Sequence, residues 1–318
     1  MVLDVKDSKI LQELDLDPNI STSALAKKVR LSQQVVDYRL KKLEENKVIV
    51  NYGTILNLSK IGYKQYRLLL QVGKSSDEEK HQVINYLKNH KNVYWAAIIG
   101  GKWDLHAVVY VKNYSELETF LDELFKKFII LKDFEALYVL NHEFYKHKYL
   151  HGNKILEPIK LDFTDNNKIN LDELDICILN NLKLNSRLSS LEISKKCDVT
   201  YKTVQNRIKI LEDNSLISGY RLFLKSEEYN YKPYLLLISF NNYGLDMEKK
   251  IFSYAKSNVL ITQATKLFGR WSLMLHLRVK DEKQLQNLII ELRNTYPIIG
   301  NYEIIPVFED ILINHFPI

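Results

Sequence analysis

Apolar positions recur at helical spacing through the first fifty residues. Ile10, Leu11 and Leu14 form one stripe behind Asp4, a side chain suited to capping a helix start. TSALAKKV reads as a short second helix. After the break at Leu31-Ser32 comes a third, with Val36, Leu40 and Leu43 on its apolar face and Ser32 as its N-cap. VIVNYGTILNL then alternates in a way that predicts a small β-hairpin.

Beyond residue 60 the pattern changes. LLLQV, VYWAAII, WDLHAVVYV and FEALYVLN read as strands, and Gly100-Gly101-Lys102 as a tight turn between the middle two. HQVINYLKNH and SELETFLDELFKKF read as amphipathic helices, the second with a Ser115/Glu118 capping box. The order is β-α-β-β-α-β, the split-βαβ or ferredoxin-like arrangement, with both helices on one face of a four-stranded sheet. In the strand from Trp103 to Val111, the odd positions Trp103, Leu105, Ala107 and Val109 are expected to face those helices. The even positions, with Arg67, Leu69 and Gln71 of the first strand, form a mixed face that needs a partner.

The whole pattern occurs twice. A shift of 168 positions lays Leu3, Asp4, Asp7, Ile10 and Leu11 on Leu171, Asp172, Asp175, Ile178 and Leu179 without a gap. The register still holds at Tyr63 and Tyr231, and at Gly101-x-Trp103 and Gly269-x-Trp271. In the second copy SSLEISKKC carries a Ser189/Glu192 capping box, Thr200 caps the third helix, and LISGYRLFLKS replaces the first hairpin. Helix, short helix, turn, helix, hairpin is the winged helix-turn-helix order. The expected fold class is therefore α+β: two winged helix-turn-helix domains (1–60 and 169–228), two ferredoxin-like ligand/dimerisation domains (61–150 and 229–318), and a linker at 151–168.

Composition narrows the setting. The chain is 46% hydrophobic and 26% charged, with net charge +6, a modest bias toward an anionic partner. No apolar run is long enough for a membrane span, and the N-terminus has no basic and apolar leader pattern. Only Cys177 and Cys197 are present, so we expect a cytoplasmic protein without a disulfide framework.

Each copy resembles the leucine-responsive regulator/AsnC, or feast-famine, family of prokaryotic transcription factors. The resemblance runs through STSALAKKVRLSQQVVDYRLKKLEENKVIVNY and GGKWDL in the first copy, and through SSLEISKKCDVTYKTVQNRIKILEDNSLISGY and GRWSL in the second. It implies transcription regulation through double-stranded DNA, self-association through the sandwich domains, and sensing of an amino acid or similar effector near the glycine turn. For that turn it points to Gly101, Trp103 and Asp104, and to Gly269 and Trp271, with Ser272 standing where Asp104 does. Opposite the core face of each third helix lie Gln34, Tyr38 and Lys41, and Lys202, Asn206 and Lys209, all able to donate hydrogen bonds to bases or phosphate. Arg39 and Arg207 sit beside these faces and suit phosphate contact, as do Lys27, Lys28, Lys195 and Lys196.

No phosphate loop or nucleophile motif is present, and neither an enzyme activity nor a cofactor is expected. His142-Glu143 with His147 misses metalloprotease spacing by one residue, and no acidic or thiol ligand is assigned beside His147 and His151, so no metal is expected. The alternative is an enzyme. Siroheme decarboxylases resemble the same architecture and would use the face that holds Arg67, His106 and His276.

Overall fold

The computed structural model describes residues 3–152, 156–165, 168–225, 231–241 and 245–311. Parts of the expected linker and the end of the second repeat lie outside them.

The first repeat opens with α1 (Val5–Leu16), α2 (Thr22–Val29) and α3 (Gln33–Glu45). Asp4 caps α1 and closes a capping box with Asp7, while Ser21 and Ser32 cap α2 and α3. Between α2 and α3, Arg30 adopts the left-handed conformation (φ 56°), which turns the chain sharply. Then follow β1 (Ile49–Leu56), β2 (Lys64–Val72), α4 (Asp77–Asn89), β3 (Val93–Ile99), β4 (Leu105–Val111), α5 (Tyr114–Lys127), β5 (Leu131–Phe144), α6 (Lys148–His151) and β6 (Ile159–Asp162). The second repeat gives α7 (Glu173–Leu184), α8 (Ser190–Cys197), α9 (Tyr201–Asp213), β7 (Ile217–Leu224), β8 (Lys232–Phe240), α10 (Leu245–Ser257), β9 (Ile261–Phe268), β10 (Leu273–Val279), α11 (Glu282–Thr295) and β11 (Ile299–Ile311).

Each βαββαβ unit has ferredoxin-like order, β5-β2-β4-β3 and β11-β8-β10-β9. The units join twice. β3 pairs with the end of β11, Ala96 opposite Ile311, and the end of β5 pairs with β9, Phe144 opposite Gln263. Eight strands thus form a closed ring with no open edge between the repeats. The face expected to lack cover packs inward, where Leu69, Val108, Leu137, Leu237 and Met274 share one cluster. The outer face of the first unit packs Leu105, Ala107 and Val109 with Val83 and Leu87 of α4 and Leu117 and Phe120 of α5.

Several expectations are corrected. The wing hairpins do not form within each repeat. β1 and β7 pair antiparallel with each other, and Gly53 stands opposite its own repeat equivalent, Arg221. Alternation marks a strand but not its partner, and each repeat supplies one strand here. The linker is partly ordered: β6 lies along the end of β5, beyond the stretch that β2 covers. Trp103 precedes β4 and packs in the central cluster with Leu137 and Trp271, not against the helices. Asn113, not Ser115, caps α5, accepting from the Glu116 amide at 2.9 Å. Cys177 and Cys197 form a disulfide between α7 and α8, at positions filled by Lys9 and Val29 in the first repeat.

An acid also stands beside His147 and His151. Asp15, fully buried at the end of α1, accepts from the His147 backbone amide (2.7 Å), His147 Nδ1 (2.7 Å) and His151 Nε2 (2.8 Å). This cluster fastens the first helix-turn-helix to the end of its sandwich unit. Burial opposes the charge, but His147 and His151 hold the Asp15 carboxyl far below the usual range. A depressed folded-state pKa means that the contribution is complete above the unfolded value of about 3.9 and is lost as pH falls. Urea unfolding should therefore show Asp15→Asn well below wild type at pH 7, with the gap closing below about pH 4. A pH-independent gap would contradict this assignment.

Candidate functional site

The outward faces of α3 and α9 are open. Gln34, Tyr38 and Lys41 are exposed, as are Lys202, Asn206 and Lys209, while Val36, Leu40, Leu43, Val204 and Leu211 are buried beneath them. Lys27 and Lys28 on α2, and Lys195 and Lys196 on α8, are also exposed. Val35 and Tyr201, each exposed in the first turn of a third helix, were not singled out from sequence; apolar contact with a thymine methyl is a known mode of readout.

Arg39 and Arg207 are placed otherwise than expected. The Arg39 guanidinium bonds Asp4 (2.8 Å) and Asp7 (2.6 Å). Arg207 bonds Asp172 (2.7 Å) and Asp175 (3.2 Å). Each arginine ties the third helix to the cap of the first, so its charge is already paired. Asp4 and Asp7 align with Asp172 and Asp175 in the repeat, and that shared spacing was the signal for the clamp.

At the glycine turn, Gly101 needs its positive φ of 92°, and open space surrounds it. Trp103 and Trp271 are buried. Asp104 Oδ2 accepts from the Val72 amide at 2.7 Å, and the Asp104 amide donates to Leu70 O at 2.9 Å. Ser272 does the same with a hydroxyl, accepting from the Phe240 amide at 3.3 Å while its own amide donates to Ile238 O at 2.8 Å. Gly269 keeps a φ of 147°. The Asp104 carboxylate thus turns toward its own backbone, and the Asp/Ser difference leaves the turn's bonding intact.

The ring and the β1–β7 ribbon enclose a cavity of about 770 Å³. Arg67 and Arg221 line it and are fully buried; burial pushes both down to about 10, so both remain charged at neutral pH. Arg67 donates to His142 Nδ1 at 3.2 Å. An arginine cannot accept, so the His142 proton resides on Nε2. Burial, reinforced by the Arg67 charge, holds His106, His142 and His276 neutral. Arg67 Nε, one terminal nitrogen of Arg221 and His276 Nε2 meet no hydrogen-bond partner among the described residues. Sequence reasoning placed Arg67, His106 and His276 on this face, but it missed Arg221, which arrives on a strand expected to belong to a separate wing.

Residues 3–50 match a family model described as winged helix-turn-helix DNA-binding, and residues 171–212 match the AsnC-type helix-turn-helix domain. An uncharacterized HTH-type transcriptional regulator of Pyrococcus abyssi is 28% identical over 117 residues, covering 36% of this chain and 78% of its own length. The HTH-type transcriptional regulator LrpB of Bacillus subtilis is 26% identical over 134 residues, covering 42% of this chain and 86% of its own length. Among solved structures, the siroheme decarboxylase NirDL superimposes with a TM-score of 0.63 at 14% identity, covering 96% of this chain and 91% of its own, a likeness of fold. Two helix-turn-helix domains, the first matching a model described as DNA-binding, thus stand on paired ferredoxin-like units. Over these stretches the chain is similar to transcriptional regulators of the leucine-responsive regulator/AsnC type. Among the described residues no helix is long and apolar enough to cross a membrane, and no group of His, Cys, Asp and Glu is arranged to hold a metal ion.

If Asp104 serves its turn, Asp104→Ala leaves the half-buried Val72 amide unpaired and should cost about 1 kcal/mol in urea unfolding. Ser272→Ala should cost less, because its bond is longer and neutral. An Asp104→Ala variant as stable as wild type would overturn the turn assignment.

Proposed function

We propose that this protein is a sequence-specific, double-stranded DNA-binding transcriptional regulator acting in the cytoplasm. The carrying observation is the pair of exposed polar faces on α3 and α9, borne by one chain and joined through β1 and β7. Gln34, Tyr38 and Lys41 read one half-site, and Lys202, Asn206 and Lys209 read the other. Only the lysine recurs between the two sets, which favours an asymmetric site over a perfect palindrome. The relatives named as HTH-type transcriptional regulators support this reading. The ring formed within one chain supports an internal pseudo-dimer in place of the two-chain dimer that single-copy sandwiches require.

A second reading is favoured by the buried Arg67, Arg221 and His276 around the cavity. In it the chain is an enzyme like its structural neighbour, a siroheme decarboxylase also solved with an iron-uroporphyrin III analogue.

Fluorescence anisotropy on labelled duplexes tests the regulator reading. Lys41→Ala with Lys209→Ala should weaken binding on every sequence. It should also flatten the plot of log K against log salt by about 0.9 for each phosphate that the protein no longer neutralises. Unchanged affinity at low salt would contradict the assignment. Incubating the purified protein with siroheme separates the readings: carbon dioxide release would establish the enzyme, and unaltered siroheme is the result the regulator reading expects.

A further inference from the structure

The central cavity is the place where the two repeats differ most in chemistry. At matched positions of the repeat, Arg67 corresponds to Leu235, Arg221 to Gly53, Arg278 to Tyr110 and His276 to Val108. The caps, the Asp–Arg clamps and the glycine turns occur twice, but Arg67, Arg221, His276 and Arg278 of the cavity wall each occur once. A pseudo-symmetric ring with duplicated side chains would offer two equivalent sites. This one offers a single asymmetric site.

Two of those groups are left with unmet donors. Arg67 Nε and a terminal nitrogen of Arg221 are buried without partners. An unsatisfied buried donor costs about 1–3 kcal/mol, and more when charged, so both positions call for an acceptor. A carboxylate, sulfonate or phosphate fits the guanidinium fork, and an ionised acceptor gives the stronger bond. The rest of the wall suits a flat apolar body: Tyr94, Trp95, Phe144 and Phe223 line it. The acidic Glu44, Glu309 and Asp310 also line it but are exposed. An anion would therefore seat its charged end at the buried arginines, away from the acidic rim.

The cavity also touches the DNA-binding units. Arg221 and Phe223 lie on β7, and Glu44 and Lys47 stand at the end of α3. Opposite Arg221, a side chain at Gly53 would run into the Phe223 ring, so the ribbon there leaves no slack.

We propose that the central cavity is the effector site of this protein, taking one aromatic organic anion per chain on Arg67 and Arg221 and signalling its presence through β7 to the paired wings. The second half of this proposal rests on the regulator reading, and the first half does not.

The test uses the full chain with two fluorescent probes, the anionic 8-anilinonaphthalene-1-sulfonate and the neutral N-phenyl-1-naphthylamine. The sulfonate should bind at one site per chain, about tenfold or more weaker in Arg67→Gln and in Arg221→Gln, with partial recovery in Arg67→Lys. The neutral probe should bind these variants and wild type alike. Where a Gln variant fails to fold, Arg67→Met keeps the bulk and removes the charge. Several sulfonate sites per chain, or equal weakening of both probes, would overturn the site. Saturating sulfonate should then shift wild-type affinity for duplex DNA by about fivefold or more, with no shift in Arg221→Gln. Site binding without any shift in DNA affinity would overturn the effector role. A free protein that binds no DNA at all would instead contradict the regulator reading and leave the site standing.

Discussion

Everything in this molecule depends on two strands that are longer than one repeat needs. β5 pairs with β2 over its first half and with β9 over its second; β11 likewise passes from β8 to β3. Each therefore leaves its own sheet to complete the other. The exchange buries two inner sheet faces against each other, and apolar burial of that kind is the dominant favourable term in folding. It also removes four strand edges, encloses the cavity, and brings the ends of the two helix-turn-helix units close enough for β1 and β7 to pair. Without it each repeat would be a helix-covered sheet with a bare face.

Duplication and divergence can be separated residue by residue. What recurs is scaffold: the Asp4/Asp7–Arg39 clamp and its Asp172/Asp175–Arg207 counterpart, and the Tyr52–Glu44 and Tyr220–Glu212 hydrogen bonds of 2.8 and 2.6 Å. What does not recur is chemistry. The outward faces of α3 and α9 share only one residue type, Arg67, Arg221, His276 and Arg278 occur singly, and Asp15, which fastens the first helix-turn-helix through His147 and His151, is replaced by Lys183 in the second. The second instead holds α7 to α8 by the Cys177–Cys197 disulfide. Fusing two copies into one chain frees each half to change separately, which a symmetric dimer of identical chains cannot do.

Much of this was legible in the sequence, because local rules govern local features. The stripe at Ile10, Leu11 and Leu14, the caps at Asp4, Ser32 and Thr200, and the alternation in β4 all follow from periods of 3.6 and 2. Sequence reasoning fell short where a choice is settled by distant partners. An alternating run shows that β1 is a strand but not that β7 covers it, and nothing local in Ile159–Asp162 signals an edge strand. Arg39 looks like a phosphate ligand until Asp4 and Asp7, a whole helical hairpin away, are placed against it. Arg221 could be assigned to the cavity only after the ribbon had been traced.

On this reading, one chain is a complete two-headed unit. Mass photometry of the protein with a single short duplex carrying its site, at nanomolar concentration, tests it most directly. The expected result is a free particle with the mass of one chain and a complex of one chain with one duplex. A smallest complex containing two chains, with no one-chain particle in the free protein, would contradict it.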